Sequence, residues 1–78
     1  MEPIEVTVKF DTQGHLTPLS FTWKGQAFPV DSTGRRWEDE HGEHILVMIP
    51  IERVCELVYI PAERRWYVRF SSPGSSII

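Results

Sequence analysis

Apolar and polar residues alternate along most of this chain with a period of two. Ile4, Val6, Val8 and Phe10 alternate with Glu5, Thr7 and Lys9, the pattern of a strand with one face buried and the other in water. Asp11 to Gly14 carries turn chemistry, Asp supplying a local hydrogen bond and Gly a permissive backbone. Leu19, Phe21 and Trp23 then alternate with Ser20, Thr22 and Lys24 as a second strand. Lys24-Gly25 reads as a tight hairpin turn, because Gly accepts the positive φ such turns need. A third strand runs from Gln26 to Val30. Pro29 has no N–H to give a ladder, so that strand belongs at an edge or carries a bulge.

Beyond it, Asp31 to Gly34 reads as a loop. Arg35, Arg36 and Trp37 either continue the third strand past a bulge or open a fourth, and Glu38 to His44 is a charged excursion centred on Gly42. Ile45 to Ile49 is apolar throughout, as in a strand covered on both faces. Pro50 ends it, and Arg53 to Ile60 forms the next strand. Helix is disfavoured there by β-branched Val54 and Val58 and by the short span between two prolines. Pro61 to Arg64 makes a turn, and Arg65 to Phe70 is the last strand. The predicted fold is all-β: a small antiparallel barrel or strongly bent sheet of five to seven strands, an SH3-like barrel being the expected form. Residues 1–70 make one domain, and residues 71–78, small and polar from Ser71 to Ser76, read as a frayed tail.

Composition sharpens this picture in three places. A chain of 78 residues has a thin core, and three Trp, four Phe and two Tyr supply the apolar area it needs. The net charge of −3 argues against coating nucleic acid by bulk charge, yet six of the eight basic residues are Arg, which suits a local face for planar or anionic groups. Cys55 is the sole cysteine, so no intrachain disulfide can form and a reducing, cytoplasmic setting is expected. The acidic start Met1-Glu2-Pro3-Ile4-Glu5 is no signal peptide, and the apolar stretch Ile45 to Ile51 is too short for a bilayer.

The clearest candidate for chemistry is the last strand. With Trp66, Val68 and Phe70 inward, Arg65, Tyr67 and Arg69 form an outward row. Guanidinium groups pair with phosphate and a tyrosine ring offers a stacking surface, so the row suits single-stranded nucleic acid. It suits an acidic or proline-rich peptide equally well. It is also what a plain sheet surface looks like, with each Arg paired to a Glu across the strands and Tyr67 as cover. The tripeptide Arg35-Arg36-Trp37 repeats as Arg64-Arg65-Trp66, each after a turn, which places Trp inward and Arg at a shared rim. The cluster Glu38, Asp39, Glu40, His41, Glu43 and His44 matches no metal-binding spacing and reads as a solvated loop. Cys55 lacks a nucleophile signature, shares a face with Arg53, Leu57 and Tyr59, and reads as a half-buried structural thiol. There is no glycine-rich phosphate loop.

One longer pattern remains. The hairpin Pro18-Leu19-Ser20-Phe21-Thr22-Trp23-Lys24-Gly25-Gln26-Ala27-Phe28, then Arg36-Trp37, then Trp66-Tyr67-Val68, resembles a family of small uncharacterised bacterial proteins found beside, or fused to, Y-family translesion DNA polymerases. The resemblance spans Ile4 to Phe70 and rests on a Pro-x-x-Phe-x-Trp-x-Gly hairpin, a central Trp and a last strand with Trp. Its residues are mostly core residues. What it implies is a setting, an accessory module in DNA repair and damage tolerance, with no catalytic residue to carry over. The acidic segment Glu38 to His44 departs from it.

The expected function is therefore that of a binding module and not of an enzyme, with no cofactor and no metal. One reading is a nucleic-acid-binding accessory domain that uses Arg65, Tyr67 and Arg69, together with Arg35, Arg36 and Trp37. The alternative is a protein-interaction or self-association module that offers a sheet edge or an aromatic groove. The expected partners are single-stranded nucleic acid or a DNA-repair protein, with a homodimer as a further possibility and no membrane.

Overall fold

The alternation becomes seven strands, with no helix among the described residues. The computed structural model describes residues 2–50 and 52–70; the expected tail 71–78, with Ile77 and Ile78, lies outside them. Strands β1 (Glu5–Phe10), β2 (Leu16–Trp23) and β3 (Gln26–Pro29) form one antiparallel sheet in sequence order. Strands β4 (Ser32–Glu38), β5 (Glu43–Ile49), β6 (Arg53–Ile60) and β7 (Arg65–Phe70) form a second. Two backbone contacts tie the sheets: Asp31 N donates to Met48 O (2.7 Å), and Ile4 N donates to Trp66 O (2.9 Å) as an isolated bridge. The chain is thus all-β and built of two antiparallel sheets. No closed barrel is found among the described residues, so the SH3-like closure expected from the sequence is not seen.

The turns follow their chemistry. Lys24 and Gly25 both take positive φ, 50° and 77°, as a two-residue hairpin of this twist requires. Before β7, Ile60 O accepts from the N–H groups of Glu63 (3.1 Å) and Arg64 (2.9 Å), and Arg64 closes the turn at φ 57°. Gly42 is needed for a different reason: a Cβ there would overlap the carbonyl oxygen of Tyr59.

Two bulges shift the alternation, and each corrects an expectation. In β2 the pairing passes from Thr7–Ser20 to Val8–Pro18, leaving Leu19 as the extra residue. Leu19 is therefore 44% exposed, out of phase with Phe21, while Pro18 turns inward. In β4 the pairing passes from Thr33–Val47 to Arg36–Ile45, so Gly34 and Arg35 both stand opposite Leu46. Ser32 to Gly34 consequently belong to a strand and not to a loop, and Trp37, expected inward, pairs with His44 on the outer face. The apolar run Ile45 to Ile49 is not covered on both sides: Ile45, Val47 and Ile49 are buried, but Met48 is 41% exposed.

The core lies between the sheets. From the larger sheet come Ile45, Val47, Ile49, Cys55, Leu57 and Val68, all buried, and from the smaller one Phe21. Four aromatic rings make the joint. Phe70 packs 4.5 Å from Trp23 and 6.5 Å from Phe21, centroid to centroid, and Phe28 stacks on Phe21 at 5.4 Å. Rings in tilted contact add about 0.5–1.5 kcal/mol per pair beyond the area they bury. Phe21 is only 1% exposed, so Phe21→Ala should lower the unfolding free energy by about 3–5 kcal/mol. Phe10 is 64% exposed, and Phe10→Ala should stay within about 0.5 kcal/mol. Urea unfolding of the two variants checks the contrast, and equal losses would mean that the inter-sheet joint is misplaced.

Candidate functional site

Strand β7 sets the site. Its inner residues Trp66, Val68 and Phe70 pack against the core, which turns Arg65, Tyr67 and Arg69 to the outer face of the four-stranded sheet. The register then aligns a row across all four strands: Trp37 beside His44, His44 beside Val58, Val58 beside Tyr67. A second row runs Leu46, Glu56, Arg69. The bulge in β4 brings Arg35 to the same side, where its guanidinium lies 5.4 Å from the centre of the Trp37 ring. Of the six residues singled out from sequence, Arg35, Trp37, Arg65, Tyr67 and Arg69 thus share one face.

Arg36 is not among them. It pairs with Ile45 and faces the other way, into a cleft of about 510 Å³ between the sheets that Val8, Phe10, Leu16, Tyr59 and Trp66 also line. The physical reason is the period of two: once the bulge has set Arg35 outward, its neighbour must point inward.

Among the described residues no Lys or Arg comes within 4.0 Å of a carboxylate. The cross-strand Arg–Glu pairing that a plain sheet surface would show is absent, even though Arg69 stands opposite Glu56. The carboxylates of this face are committed elsewhere. Glu63 accepts a 2.5 Å hydrogen bond from the Tyr67 hydroxyl, and that bond raises the Tyr67 phenol above its ordinary pKa. Glu56 Oε2 lies 2.6 Å from His44 Nδ1.

His44 is the residue sequence reasoning missed. It reads there as part of a solvated acidic loop, but it is a strand residue with only 9% of its surface exposed. Its ring stacks on Trp37, 5.0 Å between centroids and 6° from parallel. Asp39 Oδ2 lies 2.9 Å from Nε2, close enough for an ion pair although the ring N–H is not aligned for a hydrogen bond. Asp39 is held by its own turn, Oδ1 accepting from the N–H groups of His41 (2.8 Å) and Gly42 (3.1 Å). Those backbone bonds hold its carboxyl at a pKa of about 2. Burial disfavours the charged imidazole, but the hydrogen bond to Glu56 and the pairing with Asp39 outweigh it, so the His44 pKa is raised above its ordinary value. The signal that could have found His44 is the phase of β5, where His44, Leu46 and Met48 alternate with Ile45, Val47 and Ile49.

Beside this row runs a shallow groove of about 360 Å³, with Val58, Ile60 and Tyr67 as its floor and His41, Glu63 and Arg69 at its sides. His44 Nε2 is buried and cannot reach a substrate. Cys55, expected half-buried, is fully buried, and burial pushes its thiol up to about 11, leaving little thiolate at neutral pH. Among the described residues no three His, Cys, Asp or Glu side chains are placed to hold a metal, and no helix is long and apolar enough to cross a membrane.

No known family matches the chain, and neither the curated proteins nor the solved structures contain a match.

The His44 cluster fixes a direction for stability against pH. A raised native pKa stabilises the fold fully below the unfolded value of about 6.5 and is lost as pH rises through the native one. Urea unfolding should therefore show lower stability at pH 9 than at pH 6, and His44→Gln should flatten that difference. A wild-type protein equally stable at both would overturn the assignment.

Proposed function

We propose that the chain is a binding module whose outer sheet face takes single-stranded nucleic acid. The observation that carries the reading is the gathering of Arg35, Arg65 and Arg69 with Tyr67 and Trp37 on one face, with no arginine spent on an ion pair among the described residues. Free guanidinium groups spaced along a sheet can follow a phosphate backbone, while aromatic rings between them give bases a surface to stack on. The net charge of −3 fits a short, local contact better than wrapping of a long strand. Taken with the resemblance of the hairpin and the last strand, the reading places the module beside a translesion polymerase in the bacterial cytoplasm, as an accessory that touches template or displaced strand.

Two of the four sheet edges, β3 and β4, speak against a partner that adds a strand, which leaves β1 and β7 as the edges open to one. Strand β3 has four residues and ends on Pro29, and β4 carries a bulge and the inward-pointing Arg36. These are the devices by which proteins discourage edge-to-edge pairing. A protein partner retains one observation in its favour, Phe10, 64% exposed at the inter-sheet cleft.

Fluorescence anisotropy with a labelled single strand should show binding that weakens as salt rises. Arg65→Ala combined with Arg69→Ala should weaken it strongly and lower the salt slope by about one per arginine lost. Arg36→Ala, on the opposite side of the sheet, should leave it unchanged. Absence of binding at low salt would move the assignment to a protein partner, and equal losses from Arg36→Ala would dissolve the face as drawn.

A further inference from the structure

We infer that the outer face is proton-gated: protonation of His44, clamped between Glu56 and Asp39, sets how tightly the face holds a nucleic-acid strand. The inference rests on the nucleic-acid reading of this face and adds its regulation.

The charges meeting at the clamp come from every element around it. Strand β4 brings Arg35 over Trp37, the turn after it brings Asp39 and His41, and β6 brings Glu56. Strand β7 brings Arg65, Tyr67 and Arg69, and the turn before it brings Glu63. Three arginines face four carboxylates, Asp39, Glu40, Glu56 and Glu63, so the proton on His44 decides whether the cluster is balanced or net negative. With an imidazolium in place, one ring ties both carboxylates and leaves the arginines to an incoming phosphate. With a neutral ring only one nitrogen can donate, so one of the two carboxylates loses its partner. It then faces the arginines and any approaching anion.

The clamp is placed to transmit that change. His44 and Arg69 line the same groove, and Trp37 stacks on His44 while carrying Arg35. A phosphate seated on Arg69 favours the imidazolium, so by linkage strand binding and proton uptake promote each other. The cluster already holds the His44 pKa above its ordinary value, which brings the switch toward neutral pH. Glu63, Tyr67 and His41 also line the groove; His41 is exposed and meets Glu40 at 3.8 Å.

The test is anisotropy binding of a labelled oligothymidylate at low salt from pH 6 to pH 9, with the His44 ring followed by NMR in the free protein. Affinity should fall roughly tenfold across the His44 titration, the scale of one counterion contact on a single strand at low salt. His44→Gln should make binding independent of pH. Glu56→Gln, a near-isosteric change, should move both the NMR midpoint and the binding midpoint to lower pH, which keeps the test decisive where His44→Gln fails to fold. Binding that stays constant while His44 titrates would overturn the gate and leave the interface standing. A pH dependence that survives His44→Gln would overturn it too, assigning the effect to His41. No binding at any pH would remove interface and gate together.

Discussion

Everything on the outer face depends on Phe70 being seated among Phe21, Trp23 and Phe28. That contact joins the two sheets across the core, with the Phe70 and Trp23 centroids 4.5 Å apart. Because side chains alternate strictly along a strand, putting Phe70, Val68 and Trp66 inside leaves Arg69, Tyr67 and Arg65 no choice but to face out. A slip of one residue would drive two guanidinium groups into an apolar layer without partners, at a cost of several kcal/mol each. The outer row is thus held by the strength of the core behind it. Tyr67 is tied to Glu63, but the arginines need no ion pair to stay in place, and among the described residues they make none.

Strand β4 obeys the same rule but with one added residue. The bulge at Gly34 and Arg35 turns Arg35 and Trp37 to the face where β7 presents its row, and turns Arg36 into the inter-sheet cleft. Without the bulge the strand would present Arg36 outward and lose Trp37 to the inside. Trp37 completes the outer row by stacking on His44, so one local insertion gives the face both its second aromatic surface and its Arg35. The repeated Arg-Arg-Trp motif therefore ends with its two tryptophans on opposite sides, Trp37 outward and Trp66 inward against Tyr59 at 5.1 Å.

How much of this was legible beforehand follows from where the alternation is regular. Strands β6 and β7 have bounds and faces readable from residue type alone, and β1 keeps period two as far as Lys9, after which Phe10, expected on the buried face, is exposed. The Lys24-Gly25 turn was readable because positive φ narrows the choice of residue. Strand β4 was not, since Asp31-Ser32-Thr33-Gly34 has loop composition and only pairing with β5 makes its last three residues a strand. Closure could not be read either: alternation says which side of a strand is buried but not which strands pair at the ends. Of the candidate face, the Arg65, Tyr67, Arg69 row was visible. His44 was hidden because the preceding residues Glu38, Asp39, Glu40 and Glu43 are charged, and charge density masks the one position whose partners lie on β6 and in the turn.

That masking bears on what the acidic turn is for. A string of carboxylates beside a cationic face looks self-defeating, because each one cancels an arginine that an anionic ligand would need. The geometry resolves the conflict by direction. Asp39 spends one oxygen on the N–H groups of its own turn and turns the other to His44, and Gly42 packs so closely on Tyr59 that the turn has one position. Glu56 is likewise turned to His44 and away from Arg69, its neighbour in the register. One buried imidazole thus draws two carboxylates off the arginines. A neutral glutamine at the same place could bond to one carboxylate but cancel neither charge, and a lysine would supply charge without the flat ring that stacks on Trp37. Histidine meets both demands, and unlike the equally flat and charged arginine it makes the electrostatics of the face depend on a single proton.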